Sequence, residues 1–587
     1  MDKVVIRNGT IIDGTGAEAV VADIAFTDGV ITDVGPGLDV VGHEEIDADG
    51  LVVAPGFIDT HTHLDGQLFW DREATSASWH GCTTVITGNC GFSLAPLRER
   101  DSTYALSLMT GVEQIPRHVL EDGVPWDWDT FGEYTTSLER HGIAVNAATF
   151  VGLPIVRHLV MGEDGLDGTA SEGQIESMRA MFEQALSEGA LGISVNRIDN
   201  DRDDRGRPPA GYRCDWAELR EMASVLQGHR GTMVQFVPDF ILPFGGLSDE
   251  NRREQQEWID VALAAGRPVA WSPVIETWKD THLDYLRRAR AAGAQMWGCV
   301  NAIPMFTIAS FEVENVFATI PGLEHIFDNT IEERLRLFDD AAFRDHIRSL
   351  LGPEEFFGYT NRTQDEDGNP IMGIPLPFKW ANMWRLPAAP APFSLAGPNI
   401  LDEARATGRH PIDVVLDGAV ASRFGEFVAI FPFGCSTELV ASIIRDPNVV
   451  IGANDTGAHI KLGAPAATSM LLGDTVRRRG QLGLAEGVHH LTGHPARVFG
   501  LVDRGILRRG FASDIVVFDA DTVDSETPQL AHDLPNGDHR FIQRGMGFQH
   551  VFVNGRAIKR DGAPTGDLPG IYLRPTEMRA RVAEAPR

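Results

Sequence analysis

Between residues 58 and 460, short apolar runs alternate with helical stretches, and this alternation limits the possible folds more than any other feature. Met233 to Val237 has the length and apolar character of a buried strand, and Glu254 to Ala265 has helical periodicity. Parallel strands need a crossover connection, usually a helix, so this alternation predicts a parallel α/β sheet. The number of units approaches eight, which favours a (β/α)8 TIM-type barrel over an open sheet.

The two ends of the chain share a different sequence pattern, in which predicted short strands are separated by glycine and aspartate turns. Asp28-Gly29 is typical of a hairpin turn, and Asn554-Gly555 is a similar pair near the other end. Three C-terminal stretches are predicted strands: Gly505 to Leu507, Asp514 to Asp519 and Val551 to Asn554. We therefore predict that residues 1–57 and 503–587 form one small β-sandwich domain beside a barrel of residues 58–502.

Residues 355–395 interrupt the α/β alternation with a segment rich in Gly, Pro, Asn and aromatic side chains. A long irregular segment inside an α/β domain is often functional, as a lid or a substrate loop. The alternative is a surface insertion with no role in the site. The composition does not separate these two interpretations.

The chain is strongly acidic, with 51 Lys and Arg against 83 Asp and Glu and a formal net charge of −32. Such a surface repels phosphate backbones and anionic lipid headgroups, so we expect neither nucleic acid nor a membrane as a partner. We expect a small-molecule substrate. The length of the chain is also compatible with a homo-oligomer, although no interface can be identified from the sequence.

Three sequence features favour a cytoplasmic protein. No uncharged apolar run reaches the length of about 18 residues that a membrane span needs. The N-terminus lacks the apolar stretch of a secretory signal. The five cysteines are odd in number and too few for a disulfide framework in 587 residues, which suits a reducing compartment.

The strongest local signal for chemistry is a pair of histidines directly after an apolar strand. His61 and His63 follow Pro55-Gly56 and the run Phe57 to Thr60. Residues two apart on a strand point to the same face, so the two imidazoles converge at the strand end where barrel active sites lie. Two converging imidazoles can hold a divalent metal. The alternative, two unrelated loop histidines, is less consistent with the strand and turn in front of them.

A second motif, Gly88-Asn89-Cys90-Gly91-Phe92-Ser93-Leu94-Ala95-Pro96, follows the β-rich stretch Thr83 to Thr87. Together with the histidine pair, it resembles the D-aminoacylase (N-acyl-D-amino-acid deacylase) branch of the amidohydrolase superfamily. The resemblance implies that Cys90 takes the place of a carboxylated lysine as a metal ligand. A thiolate is a good zinc ligand in its own right, although a lone cysteine is more often an inert core residue.

The resemblance continues in Gly452-Ala453-Asn454-Asp455-Thr456-Gly457-Ala458-His459. It implies that Asp455 lies beside the metal and acts as the general base, taking a proton from water and passing it to the leaving amine. The alternative for Asp455 is an Asx turn, which its neighbours also permit. His459 is either a substrate hydrogen-bond donor or an ordinary loop residue.

The sequence departs from that branch at two strands that normally carry metal histidines. Thr232 to Asp239 and Pro268 to Val274 contain none, and the lysine that binds the substrate carboxylate is absent as well. We therefore expect one divalent metal, Zn²⁺, held by His61, His63, Cys90 and Asp455, and we assign Gln235 as a substrate contact. Six other histidines could supply replacement ligands, although we expect most of them to be surface or capping residues: His158, His282, His325, His489, His490 and His494.

These features predict a metal-dependent hydrolase that cleaves a C–N amide bond of a small N-acyl or cyclic amide. Two alternatives stay open. The same fold and metal could cleave a C–C or ester bond, or the chain could be a non-catalytic binding protein that keeps the fold.

Overall fold

The computed structural model describes residues 3–97, 102–198, 201–242, 246–320, 322–360, 362–364, 370–388, 391–395, 397–463 and 467–578. Its centre is an eight-stranded parallel sheet in which sequential strands are neighbours. The strands are Phe57–Asp59, Cys82–Thr87, Asn146–Gly152, Gly192–Asn196, Met233–Val237, Val269–Trp271, Met296–Val300 and Val449–Ile451. The predicted α/β barrel is confirmed.

The first and last strands meet, so the barrel is nearly closed. Thr60 Oγ1 donates to the carbonyl oxygen of Ile451 at 3.0 Å, and Thr62 forms an isolated parallel bridge with Thr456. The central residues of each strand are buried, because side chains of the interior fill one face and helices cover the other. This two-sided burial explains why exposed polar residues do not alternate with buried apolar ones along these strands.

Helices and short connections return the chain from each strand to the next. The capping box predicted from Ser171 is present: Gln174 N donates to Ser171 Oγ at 3.4 Å, and Gln174 Oε1 accepts from Ser171 N at 2.9 Å. The principal helices around the barrel are Ser102–Gly111, Arg117–Gly123, Phe131–His141, Leu153–Met161, Glu172–Ser187, Trp216–Ser224, Asp249–Ala265, Lys279–Ala291, Thr437–Ile444, Leu471–Arg478, Leu484–Leu491 and Gly493–Phe499.

Replacing Ser171 with alanine is expected to lower the free energy of unfolding by about 1 kcal/mol, because the helix loses its N-cap acceptor. Chemical denaturation of the two proteins measures the difference. Ser177→Ala, an exposed serine within the same helix, is the control and should change stability by less. Equal losses in both variants would contradict a capping role.

Strands from both chain ends form one nine-stranded sheet. Ile515–Phe518 pairs antiparallel with Val52–Pro55 and so joins the two ends. Residues 505–507, predicted as a strand, form a turn region instead, where Leu507 N donates to the Asp13 carbonyl. Residues 1–2 and 579–587 lie outside the described part of the chain. The remaining strands of this sheet are Lys3–Ile11, Val20–Thr27, Val30–Gly35, Glu44–Asp47, Phe548–Val553, Arg556–Arg560 and Ala563–Pro564.

A folded insertion separates the seventh barrel strand from the eighth. Its apolar core, which includes Phe317, Phe338 and Trp380, is separate from that of the barrel. The described residues within 355–395 belong to it and include short strands, whereas their composition suggested an irregular segment. Of that segment, residues 361, 365–369 and 389–390 lie outside the described part. The regular elements are Thr307–Ala309, Ile331–Asp339, Ala341–Leu350, Glu355–Tyr359, Arg362–Gln364, Pro370–Met372, Pro375–Lys379, Met383–Leu386, Ile400–Thr407, Pro411–Ala421 and Phe427–Ile430.

Within the described ranges, no helix has the length and apolar character needed to cross a membrane.

Candidate metal centre and its cavity

Three predicted ligands converge at the carboxyl ends of the first two barrel strands. His61 Nε2 lies 3.1 Å from Cys90 Sγ, and the donor atoms of His61, His63 and Cys90 all lie within 4.8 Å of one another. Among the described residues, this is the only such group of three or more His, Cys, Asp or Glu side chains. Both histidines are buried, and Cys90 is half-buried.

Asp455 approaches the same group from the end of the last strand. Its Oδ1 lies 3.1 Å from His61 Nε2 and 3.9 Å from His63 Nε2. Donor atoms around a tetrahedral zinc with N and S ligands stand about 3.5 Å apart. The separations of 3.1 Å and 3.9 Å lie on either side of this value, so His61, His63 and Cys90 could hold one such ion, with Asp455 beside the two histidines.

The backbone takes an unusual conformation at three of the predicted site residues. Cys90, Asp455 and His459 have φ angles of 54°, 51° and 48°, in the left-handed region. A non-glycine residue there costs about 1–2 kcal/mol, and such residues concentrate at functional sites. Position 88 requires glycine, because a Cβ there would lie 2.2 Å from the carbonyl oxygen of Phe150 and would clash with it.

Ser272 orients the ring of His61. His61 Nδ1 lies 3.0 Å from Ser272 Oγ, and that hydroxyl donates to the Gly452 carbonyl at 3.4 Å. A hydroxyl that donates to Gly452 accepts from the imidazole N–H, which leaves the Nε2 lone pair facing Cys90 and Asp455. Ser272 directly follows the sixth barrel strand, in one of the two segments that lack the expected histidine.

Gln235 occupies the other histidine-free segment and lies behind Cys90. Its Oε1 accepts from Cys90 N at 2.9 Å, and its Nε2 is buried without a hydrogen-bond partner among the described residues. The described residues that line the cavity do not include Gln235. Its contact is therefore with the turn that carries the thiol.

His459 lines the cavity, as a substrate contact would. Its backbone N donates to the Glu113 carbonyl at 2.7 Å, and its Nδ1 has no hydrogen-bond partner in the described part of the chain. Burial lowers the pKa of His459, so the ring is neutral at pH 7.

Burial and neighbouring charges set the protonation of the candidate ligands. Burial lowers the pKa of His63 to about 3, which leaves the imidazole neutral and able to bind a metal. Burial acts to raise the pKa of Asp455, but the adjacent His61 and His63 outweigh it and hold this pKa at about 2. Burial also raises the pKa of the Cys90 thiol well above its usual range. A bound cation would oppose that last effect.

A cavity of about 310 Å³ opens over this group. Apolar side chains form most of its wall, and the insertion contributes Thr360, residues 371–374 and Phe433. The segment 355–395 therefore reaches the site through its central residues. The described charged groups on the wall, besides Asp455, are Glu113, Asp201 and Arg202.

Sequence reasoning did not identify Glu113, Ser272 or Asp201 as site residues. Glu113 lies between two helices in a stretch without a motif, so no local pattern marks it. Burial raises the pKa of Asp201 to about 6, and its carboxylate accepts from Asn196 Nδ2 at 2.6 Å. For Ser272, its place directly after an apolar strand is a signal that could have been used.

The six other candidate histidines do not lie with His61, His63 and Cys90 in the described structure. Their contacts lie elsewhere: His158 stacks on Tyr104, His282 packs edge-on against Trp271, His325 contacts Asp328, and His489, His490 and His494 contact one another. In the described structure these residues do not supply the missing ligands.

The chain matches a family model described as the amidohydrolase family over residues 44–344 and 409–558. A D-aminoacylase from Alcaligenes xylosoxydans xylosoxydans is 28% identical over 579 residues, covering 97% of this chain and 96% of that protein. An N-acyl-D-aspartate deacylase from the same organism is 27% identical over 588 residues, covering 97% and 95%. The unmatched residues 345–408 fall inside the insertion.

The fold is similar to that of solved structures. N-acyl-D-glutamate deacylase from Bordetella bronchiseptica has a TM-score of 0.62 at 23% identity, covering 98% of this chain and 99% of that one. A D-aminoacylase structure has a TM-score of 0.63 at 24% identity, covering 97% and 99%. Similarity at these identities supports the barrel fold.

Proposed function

The chain belongs to the amidohydrolase family, as its motifs predict, and we propose that it cleaves a C–N amide bond of a small molecule at one divalent metal. The observation that carries the proposal is the convergence of His61, His63, Cys90 and Asp455 at the carboxyl ends of barrel strands. Active sites of barrel enzymes lie at this end.

We propose zinc as the metal, because a thiolate with two imidazoles favours zinc over harder cations. The deacylase from Bordetella bronchiseptica was solved with zinc and a phosphonate inhibitor. A divalent metal supplies Lewis-acid polarisation of the amide carbonyl and makes water a stronger acid. The residues of this chain provide the remaining functions.

Asp455 is the proton carrier in this proposal. Its carboxylate stays ionised at neutral pH and is open to the cavity, with 37% of its side chain exposed. It accepts a proton from the attacking water and delivers it to the departing nitrogen, which balances the hydrolysis. His459, which lines the same cavity, donates a hydrogen bond to the substrate, whereas Gln235 supports Cys90 from behind.

The substrate that fits this cavity is an amide with an apolar substituent. Ile241, Ile303, Phe306 and Phe433 form part of the wall, and apolar walls favour ligands by the surface that they bury. The lysine expected to bind a substrate carboxylate is absent. We therefore propose N-acyl compounds with an apolar amine or amino-acid part.

Hydrolysis assays with matched substrates test which bond is cleaved and which substituent the cavity prefers. We expect zinc-loaded protein to hydrolyse N-acetyl-D-leucine with a kcat/KM about 10–200-fold above that for N-acetyl-D-aspartate, since an apolar pocket discriminates by this much per group. The equivalent ester and a ketone test the C–O and C–C alternatives. Chelator-treated protein is the control, and added zinc should restore its activity.

Faster cleavage of the ester or ketone than of every amide would contradict the amide assignment. If zinc-loaded protein binds these compounds without turnover, the non-catalytic alternative is correct.

A further inference from the structure

Glu113 is a buried acid at the metal group that no motif marks. It lies in the loop between the helices Ser102–Gly111 and Arg117–Gly123, is 3% exposed, and lines the cavity. A carboxyl group loses its hydration on burial, and burial is tolerated when a partner compensates. The contacts of Glu113 therefore show what it does at the site.

The contact that matters is with the second histidine of the pair. Glu113 Oε1 lies 3.4 Å from His63 Nδ1, and the pair does not form a hydrogen bond in this structure. Among the described residues, no hydrogen bond reaches His63 Nδ1. The opposite ring nitrogen, Nε2, faces Asp455. Contacts of this kind often tighten when the rest of an active site is assembled.

A backbone hydrogen bond holds Glu113 against the last strand of the barrel. The Glu113 carbonyl accepts from His459 N at 2.7 Å, in the loop that also carries Asp455. On its other side, Glu113 directly follows the last hydrogen bond of the helix Ser102–Gly111, in which Val112 N donates to the Leu108 carbonyl at 2.9 Å. Glu113 therefore contacts His63 after the first strand and is hydrogen-bonded to the loop after the last strand.

We propose that Glu113 is a positioning residue whose carboxyl oxygen accepts the Nδ1–H of His63. This fixes the tautomer in which the Nε2 lone pair faces the metal and limits rotation of the ring. The inference rests on the proposed role of His63 as a metal ligand. It predicts that Glu113 controls metal affinity, a property that is measured without substrate.

The test compares Glu113→Gln with Glu113→Met, two side chains of similar length of which only glutamine carries a strong hydrogen-bond acceptor. We expect Glu113→Met to weaken zinc binding by about 10–100-fold and Glu113→Gln to recover most of that loss. Competition with a chromophoric chelator gives the zinc Kd of each purified full-length protein. Glu121→Met, at an exposed site eight residues further on, is the matched control and should keep the native Kd.

Thermal unfolding of the metal-free proteins separates positioning from folding, because a positioning role leaves the Glu113→Met midpoint at or above the native one. Three outcomes would overturn the inference: a native Kd in Glu113→Met, equal losses in the methionine and glutamine variants, or a loss matched in Glu121→Met. If the native protein itself does not bind zinc, the proposed function fails. Native binding with an unchanged Glu113→Met protein contradicts only the role of Glu113.

Discussion

Replacing Asp455 with asparagine is expected to lower kcat by about 10²–10⁴-fold, the usual contribution of a positioned acid–base group. Asparagine keeps the size of the side chain and an oxygen near His61, but it cannot accept and return a proton at neutral pH. Steady-state kinetics on the best N-acyl substrate measures the loss. Elemental analysis of the same preparation should still find about one zinc per chain, because the group formed by His61, His63 and Cys90 stays intact.

The control for Asp455 is Asp249→Asn, at the exposed start of the helix Asp249–Ala265. It makes the same chemical change far from the metal group and should leave kcat at the native value. A kcat within twofold of native in Asp455→Asn would contradict the proton-carrier role. Complete loss of zinc in that variant would show instead that Asp455 acts chiefly as a ligand.

Replacing Cys90 with alanine is expected to reduce the zinc content from one equivalent to a small fraction. The thiol is one of three donor atoms grouped within 4.8 Å, and alanine supplies no ligand. Metal catalysis contributes several kcal/mol to transition-state stabilisation, so kcat should fall by about 10³-fold or more. Elemental analysis and kinetics on the same sample measure both effects.

Cys435→Ala is the matched control, because that half-buried thiol contacts Asn382 in the insertion and not the metal group. It should keep native zinc content and activity. Full zinc occupancy in Cys90→Ala would exclude the thiol as a ligand. A metal-free Cys90→Ala protein with native activity would exclude a metal-dependent reaction.

Short-range patterns in the sequence were sufficient to predict the barrel and the convergence of His61, His63 and Cys90 at its strand ends. His61 and His63 share a face because strand side chains alternate with a period of two, and the strand in front of them was clear from its apolar run. Gly88 and Cys90 follow a β-rich stretch, which placed the thiol at a strand end. The capping box at Ser171 is a local motif, so it too was predicted correctly.

The insertion was predicted poorly for a physical reason. Its strands are three to five residues long and pair with partners across the insertion, as Glu355–Tyr359 does with Pro375–Lys379. Short strands between glycines and prolines carry little periodicity, so their composition indicates loop. Their stability comes from a separate apolar core formed by residues far apart in the chain.

Contacts between residues far apart in sequence determine which side chains support His61, His63 and Cys90. Ser272 meets His61 across 211 positions of sequence, and Gln235 meets Cys90 across 145. Glu113 reaches His63 only because the barrel brings the loop after the second strand over the first. Local sequence determined which side chains stand at strand ends, because backbone periodicity is a short-range property. Closure of the barrel determines which of these side chains contact one another. Such contacts join residues far apart in sequence, so the residues next to each partner carry no pattern that predicts them.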